Sequence, residues 1–139
     1  MSSCFATRRS RTYPLLTQPV PAGFPSPAAD FAEDRLCIED YLVENEEATF
    51  FVRVKGHSAT RFGIHDGDLL VVDRSLQAVH GSVVVAVLDG AFTLKQLCFM
   101  RDGVLLRAGN DNYPDILVNP EQELVIWGVV PWSIHRVTG

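Results

Sequence analysis

Two residue types set the chemistry this sequence can perform. Only two lysines occur, Lys55 and Lys95. Lys95 lies in Ala91-Phe-Thr-Leu-Lys-Gln-Leu-Cys-Phe99, among apolar residues. Strand alternation puts it on the face of Thr93 and Leu97. If Asp89-Gly90 is a two-residue turn, Val84 lies opposite. Desolvation there disfavours the ammonium and can lower its pKa by ~3–5 units. An ordinary lysine, with pKa ~10.4, is almost wholly charged at neutral pH. A desolvated one can serve as a general base. The plainer alternative is a lysine that reaches water from an outer face.

A base needs a nucleophile, and Ser58 is the candidate. It stands in Lys55-Gly-His-Ser-Ala-Thr60, after a Phe- and Val-rich stretch. Gly56 permits a sharp turn that presents the hydroxyl and aims backbone N–H groups at one point, as an oxyanion hole requires. Alone, Gly-x-Ser at a strand end is a weak signal, and a simple turn serine is the commoner reading. His57, His65, His80 and His135 form no recognised ligand spacing and read as surface or packing histidines. No metal or other cofactor is therefore expected. Asp66, Asp68 and Asp73 read as solvated turn residues.

A third element is Val20-Pro-Ala-Gly-Phe-Pro-Ser-Pro-Ala-Ala-Asp30. Its prolines prevent a regular helix and favour an extended path, the form in which a protease takes its substrate. Ala22-Gly23 has small residues on both sides and no proline in the bond. A proline-rich linker is the alternative.

These residues need a scaffold. Residues 38–45 suit one or two helical turns. Strands are expected over 49–55, 67–73, 82–88, 91–99, 103–108, 116–118 and 124–135. Asp89-Gly90 between two apolar runs signals a hairpin. Gly-Asn-Asp-Asn at 109–112 and Asn119-Pro120 mark turns. The expected fold is mostly β, a folded sheet or barrel-like domain with one short helix and an extended N-terminal arm. Residues 1–30 read as a weakly ordered arm.

The 139 residues make one domain, and 47% hydrophobic content supplies a core. The net charge of −5 disfavours a general nucleic-acid clamp. The charge is uneven. Residues 1–22 hold Arg8, Arg9 and Arg11 and no acid, so they carry +3 and the remainder −8. No apolar run has the ~18–20 residues of a membrane span. Cys4, Cys37 and Cys98 match no zinc pattern, and with no secretory signal they read as free thiols in a reducing cytosol.

Together these segments resemble the UmuD proteins, LexA-like autoproteolytic subunits of error-prone DNA polymerases. Gly23-Phe-Pro-Ser-Pro-Ala-Ala-Asp30 resembles the segment after their self-cleavage point. Thr49-Phe-Phe-Val-Arg-Val-Lys-Gly56 with Ser58 is similar to the element bearing their nucleophile. Gly63-Ile-His-Asp-Gly-Asp-Leu-Leu-Val-Val-Asp73 and Asp89-Gly-Ala-Phe-Thr-Leu-Lys95 follow in the same order. The likeness runs from about residue 20 to the C-terminus. His57 stands where the family usually has an acidic residue, and Ala59 where it usually has methionine.

The resemblance implies that Ser58 is the nucleophile, Lys95 the general base and Ala22-Gly23 the scissile bond. It implies an arm, 1–22, removed from a LexA-like peptidase domain, 23–139, in the bacterial cytoplasm. It further implies a homodimer, cleavage stimulated by a RecA–single-stranded-DNA filament, and activation of a UmuC-type Y-family polymerase in the SOS response. No direct sequence-specific DNA binding and no membrane association are implied. Three alternatives follow: a non-catalytic polymerase-binding subunit, a LexA-type repressor and a signal peptidase. A repressor needs a helix-turn-helix, which 22 residues before the bond cannot build. A signal peptidase needs a membrane anchor.

Overall fold

A computed structural model describes residues 11–25 and 33–138. Cys4, Arg8, Arg9 and Pro27 of the sequence reading lie outside them. The chain divides into two compact units, residues 1–44 and 45–139.

In the first unit, β1 (Tyr13–Leu16) pairs antiparallel with β2 (Glu33–Leu36), in register from Tyr13↔Leu36 to Leu16↔Glu33. A short helix, α1 (Ile38–Leu42), follows. It ends three residues before the expected limit because Val43 is already extended, with φ −118° and ψ 102°. The two strands were not expected. Tyr13-Pro-Leu-Leu and Glu-Asp-Arg-Leu36 show no clear alternation, and their pairing spans residues far apart in sequence.

The second unit is one antiparallel seven-stranded sheet. Its strands are β3 (Thr49–Arg53), β4 (Leu69–Asp73), β5 (Val83–Leu88), β6 (Ala91–Met100), β7 (Gly103–Arg107), β8 (Ile116–Val118) and β9 (Leu124–Ile134). Their spatial order is β3-β4-β9-β5-β6-β7-β8. With β3 and β8 at its two edges, the sheet is open and not a closed barrel. The mostly β expectation is borne out, and each expected strand is present within two residues of its limits. The β5–β6 turn closes on Leu88↔Ala91, and Asp89 and Gly90 have φ of 48° and 84°. Positive φ at both central residues is the type I′ hairpin geometry that an Asp-Gly pair accepts.

Both faces of the sheet are apolar at its centre, which explains why 82–88 reads as continuous valine rather than as an alternation. Val85, with Leu70, Val72, Ala59 and Ile64, belongs to one buried cluster. Val84 and Ala86, with Leu97 and Leu106, belong to the other. Each cluster removes several branched side chains from water, at about 1.5–3 kcal/mol for each one fully buried. Packing leaves no slack where β9 crosses β4. A Cβ on Gly128 would lie 2.5 Å from Val72 Cγ1.

Candidate active site

After β3 the chain turns at Gly56, whose φ of 98° is open to glycine and strained for other residues. Its N–H donates to Asp66 Oδ1 at 2.7 Å. Ser58 follows, half-buried, and Ala59 is packed in the first core cluster. This serine loop is fastened to the loop after β7. The Gly109 N–H donates to the Ser58 carbonyl oxygen at 2.6 Å, and the Arg61 N–H to the Gly109 oxygen at 2.7 Å. Asn110 Nδ2 donates to the His57 carbonyl oxygen at 2.9 Å. Gly109 has no room for a side chain, since a Cβ there would lie 2.8 Å from Ala59 Cα and 2.9 Å from the Phe62 ring. The N–H groups of Ser58 and Ala59 are backbone donors held in reserve, engaged by none of the described residues.

Lys95 is 7% exposed, opposite Val84 as the hairpin register predicts. Burial pushes its pKa below the ordinary lysine value, and the Asp115 carboxylate only partly opposes this. Its side chain shares the face of Val84 and Leu97, whereas Leu94 faces the serine loop's core cluster. Nζ turns back to donate to the Leu94 carbonyl oxygen at 3.4 Å. Leu94 in turn lines a cleft of about 270 Å³ together with Ser58, Val52, Val54, Leu70 and Phe92. Lys95 itself is not among the residues lining the Ser58 cleft, whose lysine is Lys55. Among the described residues its hydrogen bond is to Leu94 and not to Ser58.

The cleft is mixed in character, its apolar residues sharing the lining with Ser58, Thr93, Arg53 and Lys55. Beside it Phe92 meets Trp127 edge-on at 6.0 Å, and Trp127 meets Phe50 at 5.3 Å. The Arg74 guanidinium sits 4.6 Å from the Trp127 ring centre.

Ala22 and Gly23 are exposed in the connection between β1 and β2. Val20 is 84% and Phe24 93% exposed. No Cβ contact would restrain Gly23. The bond is thus accessible to a peptidase site.

Three expectations are corrected. Asp68 and Asp73 are not solvated turn residues but are 2% and 3% exposed. Asp68 accepts the His65 N–H at 2.8 Å and the Ser133 hydroxyl at 3.2 Å, and binds His135 Nδ1 at 2.6 Å. Burial opposes its ionisation, but these partners outweigh burial and hold its carboxyl below the usual range. Asp73 accepts from Asn45 and twice from Ser75, with the same outcome. The partners of Asp68 lie up to 67 residues away, so neighbouring sequence does not reveal them. Cys98 is a buried free thiol, but Cys37 is disulfide-bonded rather than free. Compartment, not geometry, had suggested three thiols.

Among the described residues, no group of three or more His, Cys, Asp or Glu side chains is placed to hold a metal ion. Nor is any described helix long and apolar enough to cross a membrane.

Residues 14–131 match the peptidase S24-like family. The chain belongs to that family. This S24-like chain is 44% identical to protein MucA of Salmonella typhimurium over 127 residues, 91% of this chain and 86% of MucA. Protein SamA of the same species is 45% identical over 125 residues, 90% and 86% of the two chains. LexA repressor 1 of Geobacter sulfurreducens is 37% identical over 125 residues, 86% of this chain and 61% of the repressor. These matches bear out the resemblance to UmuD proteins and, more broadly, to SOS-related serine peptidases of the self-cleaving kind.

Proposed function

We propose that this S24-like chain cuts its own Ala22-Gly23 bond with a Ser58-Lys95 dyad and thereby switches partners in the DNA-damage response. Neutral Lys95 takes the Ser58 hydroxyl proton as Oγ attacks the Ala22 carbonyl carbon. The reserve N–H groups of Ser58 and Ala59 receive the developing oxyanion. As the intermediate collapses, the C–N bond breaks and protonated Lys95 returns its proton to the Gly23 nitrogen. Water then attacks the Ala22 ester, Lys95 again taking the proton, and the hydroxyl is restored. The products are a chain ending at Ala22 and one beginning at Gly23.

The observation that carries this reading is Lys95, a lysine 7% exposed on the strand segment that borders the Ser58 cleft. Burying an ammonium is costly, and a structural role would be served better by an apolar residue. The Leu94 hydrogen bond, at 3.4 Å, is long and weak. Exchanging it for Ser58 Oγ is the adjustment an occupied site requires, since catalytic hydrogen bonds often tighten only when substrate is bound.

Cleavage separates an arm of charge +3 from a body of −8, a change large enough to alter partner choice. The partners we propose are a second copy of the chain, a RecA–single-stranded-DNA filament that promotes cleavage, and a UmuC-type polymerase engaged by the trimmed dimer in a bacterial cytoplasm. The filament needs to supply no catalytic group. It acts by favouring the conformation in which the arm occupies the cleft.

The test is incubation of the purified protein with RecA, single-stranded DNA and nucleotide, beside Ser58→Ala and Lys95→Ala, with products weighed by mass spectrometry. A species matching residues 23–139, absent from both variants, is the expected result. An intact chain under these conditions and also alone at pH 10 would overturn self-cleavage. The protein would then be read as a polymerase-binding subunit that is not cut.

A further inference from the structure

The register of β4 against β9 reaches one residue past the paired strands. Leu70 lies opposite Ser133 and Leu69 opposite Ile134, so the same register sets Asp68 opposite His135. Opposed residues have Cβ atoms about 4.5–5.5 Å apart. The two side chains meet, with His135 Nδ1 at 2.6 Å from Asp68 Oδ1. Asp68 is buried, and its partners hold its carboxyl below the usual range, so it is ionised at neutral pH. An ionised carboxylate only accepts, so Nδ1 carries the proton. In the neutral ring the lone pair is then on Nε2, at the end of a side chain half exposed to water.

His65 is fastened to the same residue. Its N–H donates to Asp68 Oδ2 at 2.8 Å, and its carbonyl oxygen accepts the Asp68 N–H at 3.0 Å. The loop is thus closed in both directions. The His65 and His135 ring centres are 4.8 Å apart, with the planes tilted by 47°. Aromatic pairs favour offset parallel or perpendicular rings, and this pair is neither. The ring nitrogens of His65 bond to none of the described residues. Zinc binds an imidazole nitrogen at about 2.0–2.1 Å, which puts the ring centre about 3.2 Å from the ion. Two rings at the observed separation would then subtend about 100° at a shared ion, close to the tetrahedral angle.

We propose that His65 and His135 form a binding site for a late first-row divalent ion such as zinc, with Asp68 as the positioning residue behind it. The ion takes one nitrogen from each ring, and water fills its remaining positions. Imidazole suits zinc, copper and nickel, whereas magnesium and calcium prefer oxygen ligands. A buried acid behind a ligating histidine fixes the ring's tautomer and raises its basicity, the recurrent carboxylate–histidine–metal chain. Two protein ligands in place of four make the ion exchangeable, unlike a closed structural zinc. Bound there, it ties the residue after β9 to the loop carrying Asp66, whose carboxylate accepts the Gly56 N–H at the serine turn. Neither histidine lines the Ser58 cleft, and the site does not depend on the self-cleavage reading.

The test titrates the untagged full-length Ser58→Ala chain, labelled with nitrogen-15, with zinc chloride, and follows the imidazole signals. The rings of His65 and His135 should shift together, and magnesium chloride at the same concentration should shift neither. His65→Ala and His135→Gln should each raise the half-saturating zinc concentration at least about tenfold, and Asp68→Asn by about 10–100-fold. Asp68→Asn should also redistribute the proton between the two His135 ring nitrogens, which a merely structural role would not do. His57→Ala should leave zinc binding unchanged. His65 is exposed, so its variant keeps the fold, and the backbone amide spectrum verifies this. No zinc-dependent shift up to about 1 mM, the weak end of the affinity scale, would overturn the proposal. So would a shift of one ring alone, unchanged binding in either His65→Ala or His135→Gln, or equal weakening by His57→Ala.

Discussion

The seven-stranded sheet and the two-stranded one obey different physics, and the proposed reaction needs both. In the large sheet Val72, Val84, Ala86 and Leu106 are wholly buried, and Lys95 is fixed among such residues. A buried amine keeps a lowered pKa only while its surroundings stay closed, so the catalyst must sit in a part of the molecule that rarely opens. In the small sheet all four residues of β1 are exposed and the pairing is short. A substrate segment must leave its resting place, and weak pairing allows that. Burial is concentrated around the proposed base and exposure around the bond proposed to be cut.

The sharpest way to break this comparison is at the nucleophile. Ser58→Ala should reduce cleavage on the order of 10⁴-fold or more without lowering the melting temperature, because the hydroxyl makes no hydrogen bond to a described residue. Loss of stability with retained cleavage would show that the serine is structural. Lys95→Met should lower cleavage by ~10²–10⁴-fold while raising the urea midpoint at pH 7, since it removes a buried ammonium. The same logic governs pH. The folded pKa of Lys95 lies below the ordinary value, so the cleavage rate should climb about tenfold per unit and level off near that folded pKa. Stability should also rise with pH through the window between the folded and unfolded values, where the unfolded chain binds more protons. Flat cleavage from pH 6 to 10 in a folded protein, sampled by gel densitometry, would remove Lys95 as the base.

Smaller effects refine the contrast. Gly109→Ala forces a methyl against Ala59 and Phe62, so it should destabilise by roughly 1–3 kcal/mol and slow cleavage by displacing the serine loop. Denaturant titration alongside the cleavage assay separates the two. Asp68→Asn should cost roughly 1–3 kcal/mol at pH 7 by leaving buried donors poorly matched. The native contribution of Asp68 is complete above its unfolded pKa of ~3.9 and fades as pH falls through its lower folded pKa. The acid arm of a stability profile should therefore flatten in the variant. Leu15→Pro should change global stability by less than about 0.5 kcal/mol, measured by calorimetry. A large loss would mean that the small sheet is no marginal appendage.

How legible the site was differs residue by residue. Asp89-Gly90 with its flanking apolar runs was enough to set the β5–β6 register, because the two-residue turn admits one pairing, and that register put Lys95 against Val84. Gly56 announced the serine turn for a comparably local reason, a backbone angle open to one residue type. Asp68 was misread as solvated because its partners Ser133 and His135 arrive from β9 and just beyond it. β1 and β2 went unassigned because neither strand buries a face, so no periodicity marks them.

The sequence by itself determined the hairpin, the strand inventory and the residue types able to act as nucleophile and base, since these follow from local conformational limits and side-chain chemistry. Tertiary structure alone decided that Lys95 is dry, that Gly109 fastens the Ser58 loop, and that β1 pairs with β2. Burial, close approach and the direction of a backbone hydrogen bond depend on which distant segments become neighbours, and pairing across the fold sets that.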